Sequence, residues 1–229
     1  MKLLVTCLLF LLLPIVNSAR MAGRVTNNAF KVLSDDIYDV VKLAETGLNR
    51  NIFDLAIKGL KKLESNGKLQ NPNIVTIADY SQSSNKKRLY VIDLKNKKLL
   101  FNSLVAHGRK TGEEYARYFS NDEGSLKSSL GFYITSNPVI GSHTGFSLMI
   151  EGVEKGFNDH AFKRAIIIHG ANYATENFIM KYGRLGRSLG CPALPPDQNK
   201  SIIETIKGGT CLFIFSPDKN YIFNSSLLN

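Results

Sequence analysis

The spacing of apolar residues changes period at Asn71-Pro72, and this change limits the folds open to the chain more than any other feature. Upstream, apolar side chains recur at helical spacing. Phe30, Leu33, Ile37, Val40, Val41 and Ala44 make one stripe, with Ser34 near its start and Gly47 as its stop. A second stripe, Ile52, Leu55, Ala56, Leu60 and Leu63, ends before Ser65-Asn66-Gly67. Two such stripes predict a helical hairpin, read as a lid or packing element on the main domain. Downstream, residues 74–79, 88–93, 98–105, 130–134, 146–150, 165–168 and 210–215 read as short strands, and Lys95-Asn96-Lys97 as a hairpin turn. Residues 199–207 read as a short helix. Many short strands with Gly-rich turns predict a mainly β domain, barrel- or sandwich-like, behind the helical hairpin.

Residues 1–19 have the layout of a secretory signal: Lys2 at the positive end, an apolar run from Leu3 to Leu13 too short to span a bilayer, and Ser18 or Ala19 near a cleavage point. The expected organisation is a signal at 1–19, a helical segment at 20–70, a catalytic domain at 71–217 and a tail at 218–229. Cleavage removes one lysine and no acid, so the formal charge of +10 becomes 10 − 1 = +9. Such an excess steers a protein toward anionic envelope polymers or membrane surfaces; nucleic acid is disfavoured, because no reading-head motif is present. No integral membrane segment is expected after cleavage, and the sequence is silent on oligomeric state. Lys61-Lys62, Lys86-Lys87-Arg88 and Lys95 to Lys98 read as solvated helix ends and turns.

The chemistry lies between Ile166 and Leu194. The apolar run at 165–168 delivers His169 and Gly170, and the turn Gly190-Cys191-Pro192 presents a thiol 191 − 169 = 22 positions later. That length lets the chain leave a strand and return beside it. A cysteine needs an imidazole or a positive field to become a good nucleophile. His169 is the candidate base, and Arg184 and Arg187 lie just before Cys191. Gly186 and Gly190 permit sharp turns, so the amides of Leu189, Gly190 and Cys191 are placed to meet a developing oxyanion. Read singly, His169 is equally a strand-end residue and Cys191 a packed small hydrophobe. Cys7 leaves with the signal, Cys211 reads as a core strand residue, and a Cys191–Cys211 disulfide, which would silence the thiol, stays open. His107, His143, His160 and Asp159 are spread over loops without ligand spacing, so neither a metal nor a cofactor is expected. The glycines and basic residues of 107–112 lack nucleotide-binding spacing and read as a loop at the edge of a cleft.

Together, His169-Gly170 and Ser188-Leu189-Gly190-Cys191 resemble the signature of the cysteine L,D-transpeptidases of bacterial peptidoglycan. The strings GRLGRSLGCPAL, AHGRKTG and SNDEGSLKSSLGFY are similar to the murein L,D-transpeptidase catalytic domain-like branch, over roughly Ile74 to Pro217. The resemblance implies a Cys191 acyl-enzyme on peptidoglycan tetrapeptide stems, with His169 as base and the Gly170 carbonyl orienting its ring. Leu189 and Gly190 would serve the oxyanion, and Arg187, Arg184, Ser188 and Tyr173 would contact substrate. It also implies an exported, periplasmic or secreted setting. Two positions depart from the family: Leu189 stands where better-known members carry a second histidine, and Ala193 where they carry arginine or asparagine. Arg187, with Arg184 second, is the expected substitute for the lost carboxylate partner. An L,D-carboxypeptidase on the same substrates and a non-catalytic wall-binding module are the alternatives. The order histidine before cysteine argues against a papain-type protease.

Overall fold

The computed structural model describes Ser34 and residues 36–229. The signal reading of 1–19 and the stripe residues Phe30 and Leu33 lie outside the described residues. The strands are β1 (Ile74–Asp79), β2 (Leu89–Asp93), β3 (Lys98–Ser103), β4 (Gly131–Gly141), β5 (Gly145–Gly152), β6 (Ile167–Gly170), β7 (Ala193–Leu194) and β8 (Cys211–Phe215). They form one eight-stranded sheet in the order β3-β2-β1-β8-β4-β5-β6-β7. Two pairs, β1 with β8 and β6 with β7, are parallel; the other neighbours are antiparallel.

The sheet nearly closes on itself. Just beyond β3, the Ala106 N–H donates to the Ala193 carbonyl at 2.9 Å, and the Ala193 N–H returns the bond at 3.2 Å. This joins the two edges of the strand order and covers backbone that an open sheet would leave unpaired. The barrel-like form of the expectation holds, as one mixed, nearly closed sheet rather than two facing sheets; because helices supply part of its core, the domain is mixed α/β rather than mainly β.

Those helices are α1 (Arg50–Ser65), α2 (Glu176–Tyr182), α3 (Pro196–Ile206) and α4 (Lys219–Asn224). Helix α1 starts where the Asn49 side chain accepts the Asn51 N–H, and it buries Ile52, Phe53, Ala56, Ile57, Leu60 and Leu63 on one face. Each large apolar side chain covered this way contributes roughly 1.5–3 kcal/mol. Gly59 lets the helix lie close to the sheet. A Cβ there would sit 2.1 Å from Phe132 Cζ, and Phe132 in turn stacks on Phe213 at 4.2 Å. The first arm of the expected hairpin departs from its reading within the described residues. Residues 36–40 are helical, but Lys42 takes a left-handed φ of 56° and a 3-10 turn, Leu43–Thr46, follows. Leu43 is buried, whereas Ala44 is exposed.

Residues 218–229 fold against the same core. Tyr221, Leu227 and Leu228 are buried, and the buried Glu154 carboxylate accepts hydrogen bonds from the Phe132 N–H at 2.7 Å, the Tyr221 hydroxyl at 2.9 Å and the Ser225 hydroxyl. Arg88 was expected to be solvated with Lys86 and Lys87. It is instead fully buried, donating to the Val105 and Gln82 carbonyls and to His107. Among the described residues no helix is long and apolar enough to cross a membrane.

Candidate active site

Strand β6 is short and turns sharply at its start. Ala165, read from sequence as its first residue, has a left-handed φ of 52° and belongs to the preceding turn; the strand begins at Ile167. Ile168 faces the core, and His169 and Gly170 are inside the strand rather than beyond it. His169 pairs with Ser147 of β5 on one side and with Ala193 of β7 on the other. Its Nδ1 lies 3.0 Å from the Gly170 carbonyl oxygen. A carbonyl only accepts, so Nδ1 carries the proton and Nε2 keeps the lone pair. Gly170 has little room for a side chain, since a Cβ would meet Asn199 of α3 at 3.2 Å.

The excursion from Gly170 to Cys191 is folded by a small cluster of its own. Ala174 and Leu185 from the excursion pack with Leu104, Ala106 and Ala193. Tyr173 accepts the Gly186 N–H at its carbonyl at 2.8 Å, and Gly186 presses against the Tyr173 ring. The chain then returns beside β6, where the His169 N–H reaches the Pro192 carbonyl at 3.4 Å.

Ser188 staples the nucleophile turn. Its hydroxyl accepts the Gly190 N–H at 3.0 Å and donates to the Cys191 carbonyl at 2.6 Å. Gly190 has a φ of 136°, and its carbonyl accepts from Ser128 at 3.0 Å, so the residue before Cys191 is held at both its N–H and its carbonyl. The Gly190 amide and the Ser188 hydroxyl are thus engaged with the turn itself. Leu189 is 60% exposed at its tip.

Cys191 is half-buried and its Sγ lies 3.8 Å from the Ala165 carbonyl oxygen. Burial pushes the thiol above the usual cysteine range, against the opposing pull of the Ile167 N–H and the Arg164 guanidinium. Among the described residues Cys191 Sγ and His169 are not hydrogen-bonded to each other; such bonds are often long before substrate binds. Both Cys191 and Cys211 are free thiols. Two strands, β4 and β5, lie between β8, which carries Cys211, and β6. At about 4.8 Å per strand this places the two cysteines beyond the about 7 Å Cα reach of a disulfide.

The structure brings His169, Gly170, Ser188, Leu189, Gly190 and Cys191 together, and Tyr173 lines a cleft of about 490 Å³ with His169, Gly170, His143 and Asn199. Arg184 and Arg187 are engaged within the protein. Both pair with Glu113, at 2.7 Å and 2.5 Å, and Arg187 also donates to the Gly112 carbonyl. The cation electrostatically coupled to the thiol is Arg164. Sequence reasoning did not single it out, nor Ser128 and Asn199: Ser128 lies in the string SNDEGSLKSSLGFY without a role assigned to it, and Asn199 comes from a helix with no motif attached. The lone signal was a base placed just before the histidine strand.

The nearly closed mixed sheet holds an imidazole in β6 and a thiol in the bend that leads into its neighbour β7. The model of the L,D-transpeptidase catalytic domain family matches residues 44–215, and the chain belongs to that family. Similar solved structures include an L,D-transpeptidase from Mycobacterium smegmatis, at 11% identity and a TM-score of 0.38, covering 63% of this chain and 59% of that one. The helical cell shape determining protein Pgp2 from Campylobacter jejuni matches at 15% identity and a TM-score of 0.41, covering 64% of this chain and 48% of that one. An L,D-transpeptidase from Stackebrandtia nassauensis matches at 13% identity and a TM-score of 0.39, covering 73% and 68%. The chain thus spans less than two thirds of the length of the first two. A search of curated proteins returned no match.

Proposed function

We propose that the protein is an exported L,D-transpeptidase acting on peptidoglycan stem peptides, with Cys191 as nucleophile and His169 as base. The observation that carries this reading is the register of β6 and β7, which sets Cys191 beside the strand of a histidine whose free Nε2 is defined by the Gly170 carbonyl. In the first step His169 Nε2 takes the thiol proton as Sγ bonds to the carbonyl carbon of the stem's L,D peptide bond. The C–N bond breaks, and the terminal D-alanine leaves with the proton returned by His169. In the second step an acceptor amine, from the diamino acid of another stem, attacks the thioester and gives up its proton to His169. The product is a cross-link, and the thiol is regenerated.

The tetrahedral oxyanion is met by the amides of Leu189 and Cys191; Gly190 joins them when Ser188 releases its N–H. The cleft lined by His169, Tyr173 and Asn199 gives an acceptor a route to the base side. Glu113 is an exposed carboxylate, and a stem carboxylate replacing it would engage Arg187 and Arg184. The signal-like pattern of residues 1–19 supports the reading of export to a periplasm or cell wall, and the net positive charge suits an anionic envelope polymer.

The test is incubation of the mature protein, and of Cys191→Ala, with purified tetrapeptide muropeptides, followed by chromatography and intact-mass analysis. A cross-linked dimer that needs Cys191 is the expected result. Tripeptide without dimer would identify a carboxypeptidase instead. No turnover and no acyl adduct, with the thiol free, would leave a wall-binding module.

A further inference from the structure

We propose that Arg164 is the fixed counter-charge of Cys191: its guanidinium, held by neutral groups of the loop before β4, lies against the Gly190-Cys191 turn and supplies the positive field in which the thiolate forms. The inference rests on Cys191 being the nucleophile.

Arg164 and Cys191 meet at one turn. The left-handed Ala165 that follows Arg164 presents its carbonyl oxygen 3.8 Å from Cys191 Sγ. A Cβ placed on Gly190 would lie 3.4 Å from Arg164 Nη2. The guanidinium is locked in that position. Nη1 donates to the Ser120 carbonyl at 2.9 Å and to the Ser129 hydroxyl, while Nη2 donates to the Lys127 carbonyl at 2.6 Å and to the Ser125 hydroxyl at 3.3 Å. These bonds use all four Nη hydrogens and leave only Nε–H, so Arg164 cannot take a substrate carboxylate in a two-pronged grip without releasing the loop.

All four acceptors are neutral, so the bonds position the charge without cancelling it. Of the acids, exposed Asp122 contributes to the electrostatic surroundings of Arg164, and it already accepts the Ser120 hydroxyl at 2.9 Å. The titratable groups around Cys191 are Arg164, His169 in β6, Tyr173 in the excursion and Tyr80 beyond β1. Burial keeps both tyrosines neutral, pushing Tyr173 up to about 12 and Tyr80 higher. Arg164 is thus the permanent cation of this group. In a half-buried setting its attraction for a thiolate is several times stronger than in water. Arg184 and Arg187, nearer in sequence, are paired with Glu113.

The experiment compares Arg164→Lys with Arg164→Gln, which both lose the guanidinium fork and differ in charge, and adds a Ser125→Ala/Ser129→Ala double variant that loosens the clamp but keeps the arginine. The readout is the rate of Cys191 alkylation by iodoacetamide against pH, with the adduct located by peptide mass. This reads the thiol whether or not cross-linking occurs, so failure of the transpeptidase reading and failure of the Arg164 role give different results. Arg164→Gln is expected to move the alkylation profile to higher pH and lower the rate at pH 7 roughly three- to tenfold. Arg164→Lys and the double variant are expected to stay near the wild-type profile. Identical profiles for Lys and Gln, or a double variant shifted as far as Gln, would reduce Arg164 to a loop clamp and overturn the proposal.

Discussion

His169 and Ala193 face each other across the parallel pair of β6 and β7. Cys191 stands two residues before Ala193, in the bend that leads into β7, and Ile167 stands two residues before His169 at the start of β6. The pairing therefore returns the bend that carries the thiol to the strand that holds His169. A shift of one residue along β6 would turn His169 to the other face of the sheet.

The first consequence concerns His169→Gln. The substitution removes the base but leaves the β6 backbone pairing intact. Acylation by a stem peptide is expected to fall about 10²- to 10⁴-fold, while slow alkylation of Cys191 at high pH persists. Single-turnover acyl-enzyme formation followed by mass spectrometry checks both halves.

Glu113→Gln tests the two arginines near the turn. Losing the carboxylate frees Arg187 and Arg184 from their pairs at 2.5 Å and 2.7 Å. If they receive a stem carboxylate, KM for the stem falls about two- to fivefold with little change in kcat. Because the Glu113 side chain is exposed, the melting temperature is expected to change little. An unchanged KM would remove both arginines from substrate binding.

A third prediction concerns His107. Its Nδ1 accepts from Arg88 at 2.8 Å and its Nε2–H faces the Gly112 carbonyl at 3.3 Å. Burial, reinforced by the Arg88 cation, pushes the imidazole down to about 3. The unfolded chain takes up this proton near pH 6.5 and the folded protein does not. Stability is therefore full above that pH and declines as pH falls toward 3, by up to about 1.4 kcal/mol per pH unit from this group. His107→Gln can keep both hydrogen bonds without titrating, so its urea-unfolding free energy should fall less steeply than wild type over that window. Equal slopes would refute the assignment.

Gly59→Ala probes the contact between α1 and the sheet. Alanine favours a helix, yet its Cβ would stand 2.1 Å from Phe132 Cζ and would have to displace a ring stacked on Phe213. Overpacking of this kind costs about 1–3 kcal/mol, more than the helix propensity returns. Thermal unfolding should show a lower melting temperature; an increase would mean that the Phe132 ring moves freely.

Local pattern carried much of this protein. Helical spacing located α1, alternation and β-branched runs located the strand cores, and the order His169, Gly170, Ser188, Gly190, Cys191 carried the family signature. These features depend on side chains a few positions apart, so a linear reading reaches them. The tertiary structure decided what depends on distant partners. The two-residue β7 exists because Ala193 finds His169 on one side and Ala106 on the other. Arg88, in a run of basic residues, is buried because the carbonyls of Gln82 and Val105 and the ring of His107 converge on it. The cation at the thiol is Arg164 rather than the nearby Arg184 or Arg187, because Glu113 captures those two while the 120–129 loop holds Arg164 against Gly190. Charge acts through space, and only the folded chain says which charges are near.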